Sequence, residues 1–118
     1  MTPETAAFLE ALGDLEQALD SSVSMTERMR ERIAHIRGEL DAGRSLPAIV
    51  PAEEAPLLVQ LLTEAASLLH TYGNRVRRTE ALALYREGMT MEEIAGLFGV
   101  SRQRVSALLR DILGEPIG

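Results

Sequence analysis

The sequence predicts an all-α fold. Apolar residues make up 46% of the 118 residues, enough for a core, yet aromatic residues make up only 3% and Trp is absent. A core built of Leu, Ile, Val, Ala and Met suits packed helices better than sheets. No stretch alternates apolar and polar residues with a sustained period of two, whereas apolar residues recur three and four apart along most of the chain.

The elements follow in order. Thr2 caps a first helix and Pro3 takes its first position, where the missing N–H costs nothing. Phe8, Leu12, Leu15 and Leu19 then lie on one face. Asp20-Ser21-Ser22 is expected to end that helix, and Ser24 with Glu27 forms a capping box opening a second. Met29, Ile33, Ile36 and Leu40 repeat the apolar stripe there. Gly43, Pro47 and Pro51 mark Asp41 to Pro51 as a connecting loop, with Leu46, Ile49 and Val50 lying against the helices.

A third helix is expected to begin near Pro51, with Pro56 inside its first turn. Leu57, Leu58, Leu61, Leu62, Ala65, Leu68 and Leu69 crowd it so densely that more than one face is buried. Gly73-Asn74 reads as a stop, a kink or a short joint. Thr79 to Glu87 is helical again, with Leu82 and Tyr85 inward. Two separate helices and one long bent rod both satisfy this pattern. The division expected is residues 1–73, a three-helix packing or dimerisation region, and residues 74–118, a second, tri-helical region.

Composition removes several function classes. There is no Cys, which rules out disulfides, thiolate catalysis and thiolate metal sites. No apolar run reaches the roughly 18 residues of a membrane span. Met1-Thr2-Pro3-Glu4 lacks the basic and apolar stretches of a secretory signal, so the expectation is a cytoplasmic protein without membrane contact. His35 and His70, the two histidines, have no matched carboxylate spacing, and Glu53-Glu54 reads as helix-dipole complement. Met25, Met29, Met89 and Met91 read as core filler. With no nucleophile triad, phosphate loop or metal motif, we expect no enzyme, no cofactor and no metal.

Net charge is −6, which at first opposes a nucleic-acid partner because phosphate contacts supply much of such affinity. The charge is unevenly placed. Residues 1–73 hold 5 Arg against 12 acids, and residues 74–118 hold 7 Arg against 6. The rear part is the one suited to phosphates; the front acids also fit a solvated coat over two helices.

That rear part carries the strongest signal. Thr90 caps a short helix and Glu93 completes its capping box. Ile94, Leu97 and Phe98 supply its buried face, and Ala95 is small where the next helix crosses. Gly99 permits the positive φ of a sharp turn. Val100 fills the corner and Ser101 caps the second helix, which Val105 and Leu108 bury. Ala95, Gly99, Val105 and Leu108 stand at successive offsets of four, six and three, the offsets at which a helix-turn-helix packs.

The run from Leu84 to Leu109, above all Thr90 to Leu109, resembles region four of bacterial sigma factors and the small regulators that share its fold. The resemblance implies that a recognition helix over about 101–112 lies in the major groove of double-stranded DNA. Ser101, Arg102, Gln103, Ser106 and Ala107 would then face base edges, and Thr90, Arg104 and Arg110 the phosphates. Arg pairs bidentately with guanine and Gln with adenine. Arg75, Arg77 and Arg78 are expected on phosphates too, the alternative being ion pairs with Glu80 and other acids. A chain of 118 residues does not hold the promoter-opening regions of a sigma factor, so the expectation is a small bacterial transcription regulator.

One helix-turn-helix reads few bases, and a homodimer through residues before Gly73 doubles the contacts. An alternative from another class is an adapter that binds RNA polymerase or a sigma factor through the acidic front helices.

Overall fold

The computed structural model describes residues 1–113; the end of the region expected over 74–118, residues 114–118, lies outside them. Its α-helices are α1 (Pro3–Asp41), α2 (Leu46–Ile49), α3 (Leu58–Arg86), α4 (Met91–Phe98) and α5 (Arg102–Leu113), with a 3₁₀ turn over Val50–Ala52. No strand occurs among the described residues, as the composition predicts. No described helix is long and apolar enough to cross a membrane.

The Thr2 hydroxyl accepts from the Thr5 backbone N–H at 3.1 Å, so α1 starts where its cap predicts. It does not stop at Asp20-Ser21-Ser22. The two helices expected there are one helix of 39 residues, and Ser24 and Glu27 lie inside it rather than at a start. The reason is local. Ser and Asp cost only about 0.5 kcal/mol each in a helix interior, and no Pro interrupts the ladder between Pro3 and Pro47. The hydroxyl of Thr26 donates to the Ser22 carbonyl at 2.8 Å, satisfied without breaking the helix.

Continuity changes which residues turn inward. Ala11 and Ala18 are buried, whereas Leu12 and Leu19 are exposed, as are Ile33 and Leu40. The half-buried positions Phe8, Leu15, Ser22, Met25, Met29, Arg32 and Ile36 continue the line of Ala11 and Ala18 at alternating spacings of three and four. That period of 3.5 drifts from the 3.6 of a straight helix over such a length.

In the connection, Ile49 is buried but Leu46 and Val50 are exposed. Pro56 precedes the third helix instead of entering its first turn, since α3 begins at Leu58. Two side chains cover the N–H groups at that start. Glu53 accepts from the Leu58 N–H at 3.2 Å and Gln60 from the Leu57 N–H at 2.7 Å.

The question left open at Gly73-Asn74 resolves as one rod: α3 runs through both residues to Arg86. Its end is set by Gly88, at φ 106°, where the Met89 N–H donates to the Leu84 carbonyl at 3.0 Å. Glycine adopts that left-handed conformation without steric cost, and the bond closes the last turn.

Two units form. One comprises residues 1–16 with the chain from Thr71 onward, and the other is Gln17–His70. The first sixteen residues thus group with the C-terminal part, not with the rest of the front region. In the first unit α1 and α3 run antiparallel, with Glu4 3.7 Å from Arg86 and Asp14 against Arg75. Its core joins Ala81 and Leu82 of α3, Met91, Ile94 and Ala95 of α4, and Val105 and Leu109 of α5. The second unit buries Ala18, Ile49, Leu61 and Ala65, and leaves Val23, Val59, Leu62 and Leu69 exposed.

Candidate nucleic-acid interface

The end of α3, α4 and α5 form the three helices of the helix-turn-helix. Thr90 accepts from the Glu93 N–H, and Glu93 accepts from the Thr90 N–H, both at 3.1 Å, so the predicted capping box is present. Gly99 sits at φ 67° and its N–H donates to the Ala95 carbonyl, closing α4 with a left-handed residue. The Ser101 hydroxyl accepts from the Arg104 N–H at 3.1 Å and opens α5. The chain therefore turns sharply between two short helices whose ends are both satisfied.

Burial behind this turn fixes which face of α5 looks outward. Val105, Leu108 and Leu109 are buried, and Ile94 and Ala95 of α4 share one core cluster with Val105 and Leu109. Phe98 packs against the same cluster half-buried. At about 100° per residue, Gln103, Ala107 and Arg110 fall within about 60° of one another, opposite Val105. Gln103 and Arg110 are exposed, and Ser106 and Ala107 half-buried. Arg104 lies about 60° beyond one edge of this arc and Arg102, the first residue of α5, about 80° beyond the other, both exposed.

Two corner residues differ from expectation. Leu97, expected inside, is 66% exposed, because α4 is only two turns long and Met91, Ile94 and Ala95 already fill its inner face. Val100 is exposed rather than filling the corner. It lines a hollow of about 340 Å³ together with Arg77, Glu80, Phe98, Arg104 and Leu108.

The arginines divide by their partners. Arg104 and Arg77 share that hollow, where Arg77 also donates to the Asn74 side chain at 3.1 Å. Arg75 and Arg78 line a different one with Thr71, Tyr72 and Thr79. Arg75 is turned toward α1, where it pairs with Asp14 and lies 3.9 Å from Glu10. Arg102 pairs through Nε with Glu92 of α4 at 2.8 Å. Arg110 makes no ion pair among the described residues. Of the residues expected to turn outward, Arg102, Gln103 and Arg110 are exposed and Ser106 is half-buried; sequence reasoning did not single out Glu92 or Leu109. Leu109 was within reach, since it follows Val105 by one helical turn.

The hydroxyls of Thr90 and Ser101 are engaged as helix caps. A capping hydroxyl retains its own proton, so either one still has a donor to offer a phosphate or a base. His35 and His70 lie at the surface.

No curated protein and no solved structure matches the chain. Residues 72–115 match the model of the homeodomain-like domain family, a match that supports a helix-turn-helix domain in the C-terminal part of this chain.

Proposed function

We propose that this chain is a small bacterial transcription regulator that binds duplex DNA sequence-specifically, with α5 in the major groove. The observation that carries the reading is the outward arc of α5. Gln103, Ala107 and Arg110 face away from a closed apolar core, and Arg102 and Arg104 flank them. Gln and Arg are the side chains that read adenine and guanine bidentately. Ser101 and Ser106 stand at the same surface, within reach of base edges or bridging water. Thr90, Arg104, Arg110 and Arg77 are assigned to phosphates. Arg78 is assigned with them, and Arg75 chiefly joins α3 to α1. The likeness to region four of sigma factors agrees with this docking mode and with a bacterial source.

The protein acts as a homodimer held by residues before Gly73. What supports this is the second unit, where Val23, Val59 and Leu62 are each more than half exposed. Where exposed apolar residues form a contiguous patch, that patch marks an interaction site. The same surface favours a second reading, an adapter that docks on RNA polymerase or a sigma factor. Selection of bound sequences from a random duplex library separates them. The regulator enriches one motif in two half-sites about 34 Å apart, or a multiple of that spacing. The adapter enriches none.

A further inference from the structure

We propose that Glu92 is a positioning residue of the DNA interface, holding Arg102 for base readout and keeping its charge from backbone phosphates. The inference rests on the DNA-binding reading above and goes one step into its specificity.

Arg102 Nε lies 2.8 Å from the Glu92 carboxylate, and both side chains are more than half exposed. An exposed pair of this kind adds almost nothing to folding. Nor does α4 need Glu92 as a cap, because Thr90 and Glu93 already form the capping box. Glu93 also places a carboxylate in the first turn, where it complements the helix dipole. Glu92 in the same turn adds to that complement by only about 0.3–1 kcal/mol, so folding gives a weak reason for a second acid there.

The location supplies a stronger one. In a helix-turn-helix the first helix crosses the DNA backbone while the N-terminal end of the second reaches base edges. Glu92 stands in the first turn of α4 and Arg102 at the start of α5. A lone carboxylate beside phosphates would repel them, and a lone arginine would seize them on any sequence. Paired, each charge is answered by the other. The contact uses Nε, and the guanidinium keeps donors on its terminal nitrogens for a guanine edge. Non-specific affinity grows with the number of phosphates neutralised, so one arginine withheld from them raises discrimination.

The test uses the full chain, the sequence enriched from a random library, and a scrambled duplex of equal length. Wild type, Glu92→Gln, Arg102→Ala and the double variant are titrated at several salt concentrations. Glu92→Gln is expected to tighten the scrambled duplex more than the preferred one. It should also steepen the scrambled-duplex salt dependence by about 0.9 log–log unit, about threefold more loss between 50 and 200 mM salt. In the Arg102→Ala background Glu92→Gln should change neither the slope nor the ratio of the two affinities. Equal tightening on both duplexes in the wild-type background, or a change of slope or ratio that survives Arg102→Ala, overturns the proposal, since Glu92 then acts as a bare charge. Wild-type binding with an unchanged ratio in Glu92→Gln overturns it while leaving the DNA reading intact. A wild type that binds neither duplex removes both.

Discussion

Arg75 on α3 pairs with Asp14 on α1, 61 residues earlier in the chain. With the Arg86–Glu4 pair, it joins the first sixteen residues to the helix-turn-helix unit. Both partners of the Arg75 pair are more than a third exposed, so the contact is screened by water. Arg75→Ala should lower stability by only about 0.5–1 kcal/mol in urea unfolding. It should leave the salt slope of DNA binding unchanged, whereas Arg104→Ala or Arg110→Ala should each flatten it by about 0.9 log–log unit. A flattened slope in Arg75→Ala would return that side chain to the phosphates.

Gly73 sits inside α3, and a Cβ placed there meets only the end of the Arg77 side chain, at 3.7 Å. No positive φ holds glycine at this position. Gly73→Ala should therefore stabilise the protein by about 0.4–1 kcal/mol, by reducing the freedom of the unfolded chain and favouring helix. Chemical denaturation at one temperature measures it. Destabilisation would mean that α3 bends there in solution.

Val105 is fully buried between α4 and α5. Val105→Asp places a carboxylate among Ile94, Ala95 and Leu109 with no partner, at a cost of about 3 kcal/mol or more. The helix-turn-helix should lose cooperative unfolding in a thermal melt followed by circular dichroism, and DNA binding with it. A variant that melts like wild type would show that this core is not closed.

The exposed apolar residues of the second unit make the dimer testable without DNA. Sedimentation equilibrium should return twice the mass of the chain at micromolar concentration, and Leu62→Glu with Val59→Glu should return the monomer with its helix content intact. A wild type that stays monomeric at high micromolar concentration would remove the dimer and leave the fold untouched.

What the sequence disclosed follows the range of the interactions concerned. The capping box at Thr90, the left-handed Gly99 and the cap at Ser101 depend on neighbours three to five residues away, and all three are present. The length of α1 was hidden because Ser24 and Glu27 satisfy a capping pattern equally well in the middle of a helix, where nothing forces the chain to break. Its inner line was misread because small residues, Ala11 and Ala18, take the buried positions and leave Leu12 and Leu19 outside. Sequence spacing cannot weigh close approach of two backbones against side-chain hydrophobicity. The pairing of Arg75 with Asp14 has no local signature at all. Gly88, two residues before the Thr90 cap, ends the helix that the sequence carries to Glu87; Gly73-Asn74 stayed open because a glycine inside a helix and a glycine at a joint look alike in sequence.

The central claim is that the outward arc of α5 reads base sequence, and Gln103 is its most exposed test, standing opposite the buried Val105. The decisive measurement is the ratio of affinities of wild type and Gln103→Ala for the selected duplex and for the same duplex with one base pair changed at a time. The account predicts that Gln103→Ala loses about 1–3 kcal/mol on the selected duplex and no longer distinguishes base pairs at one position, while its affinity for scrambled DNA is unchanged. A folded Gln103→Ala with wild-type affinity and the same preference at every position would contradict it.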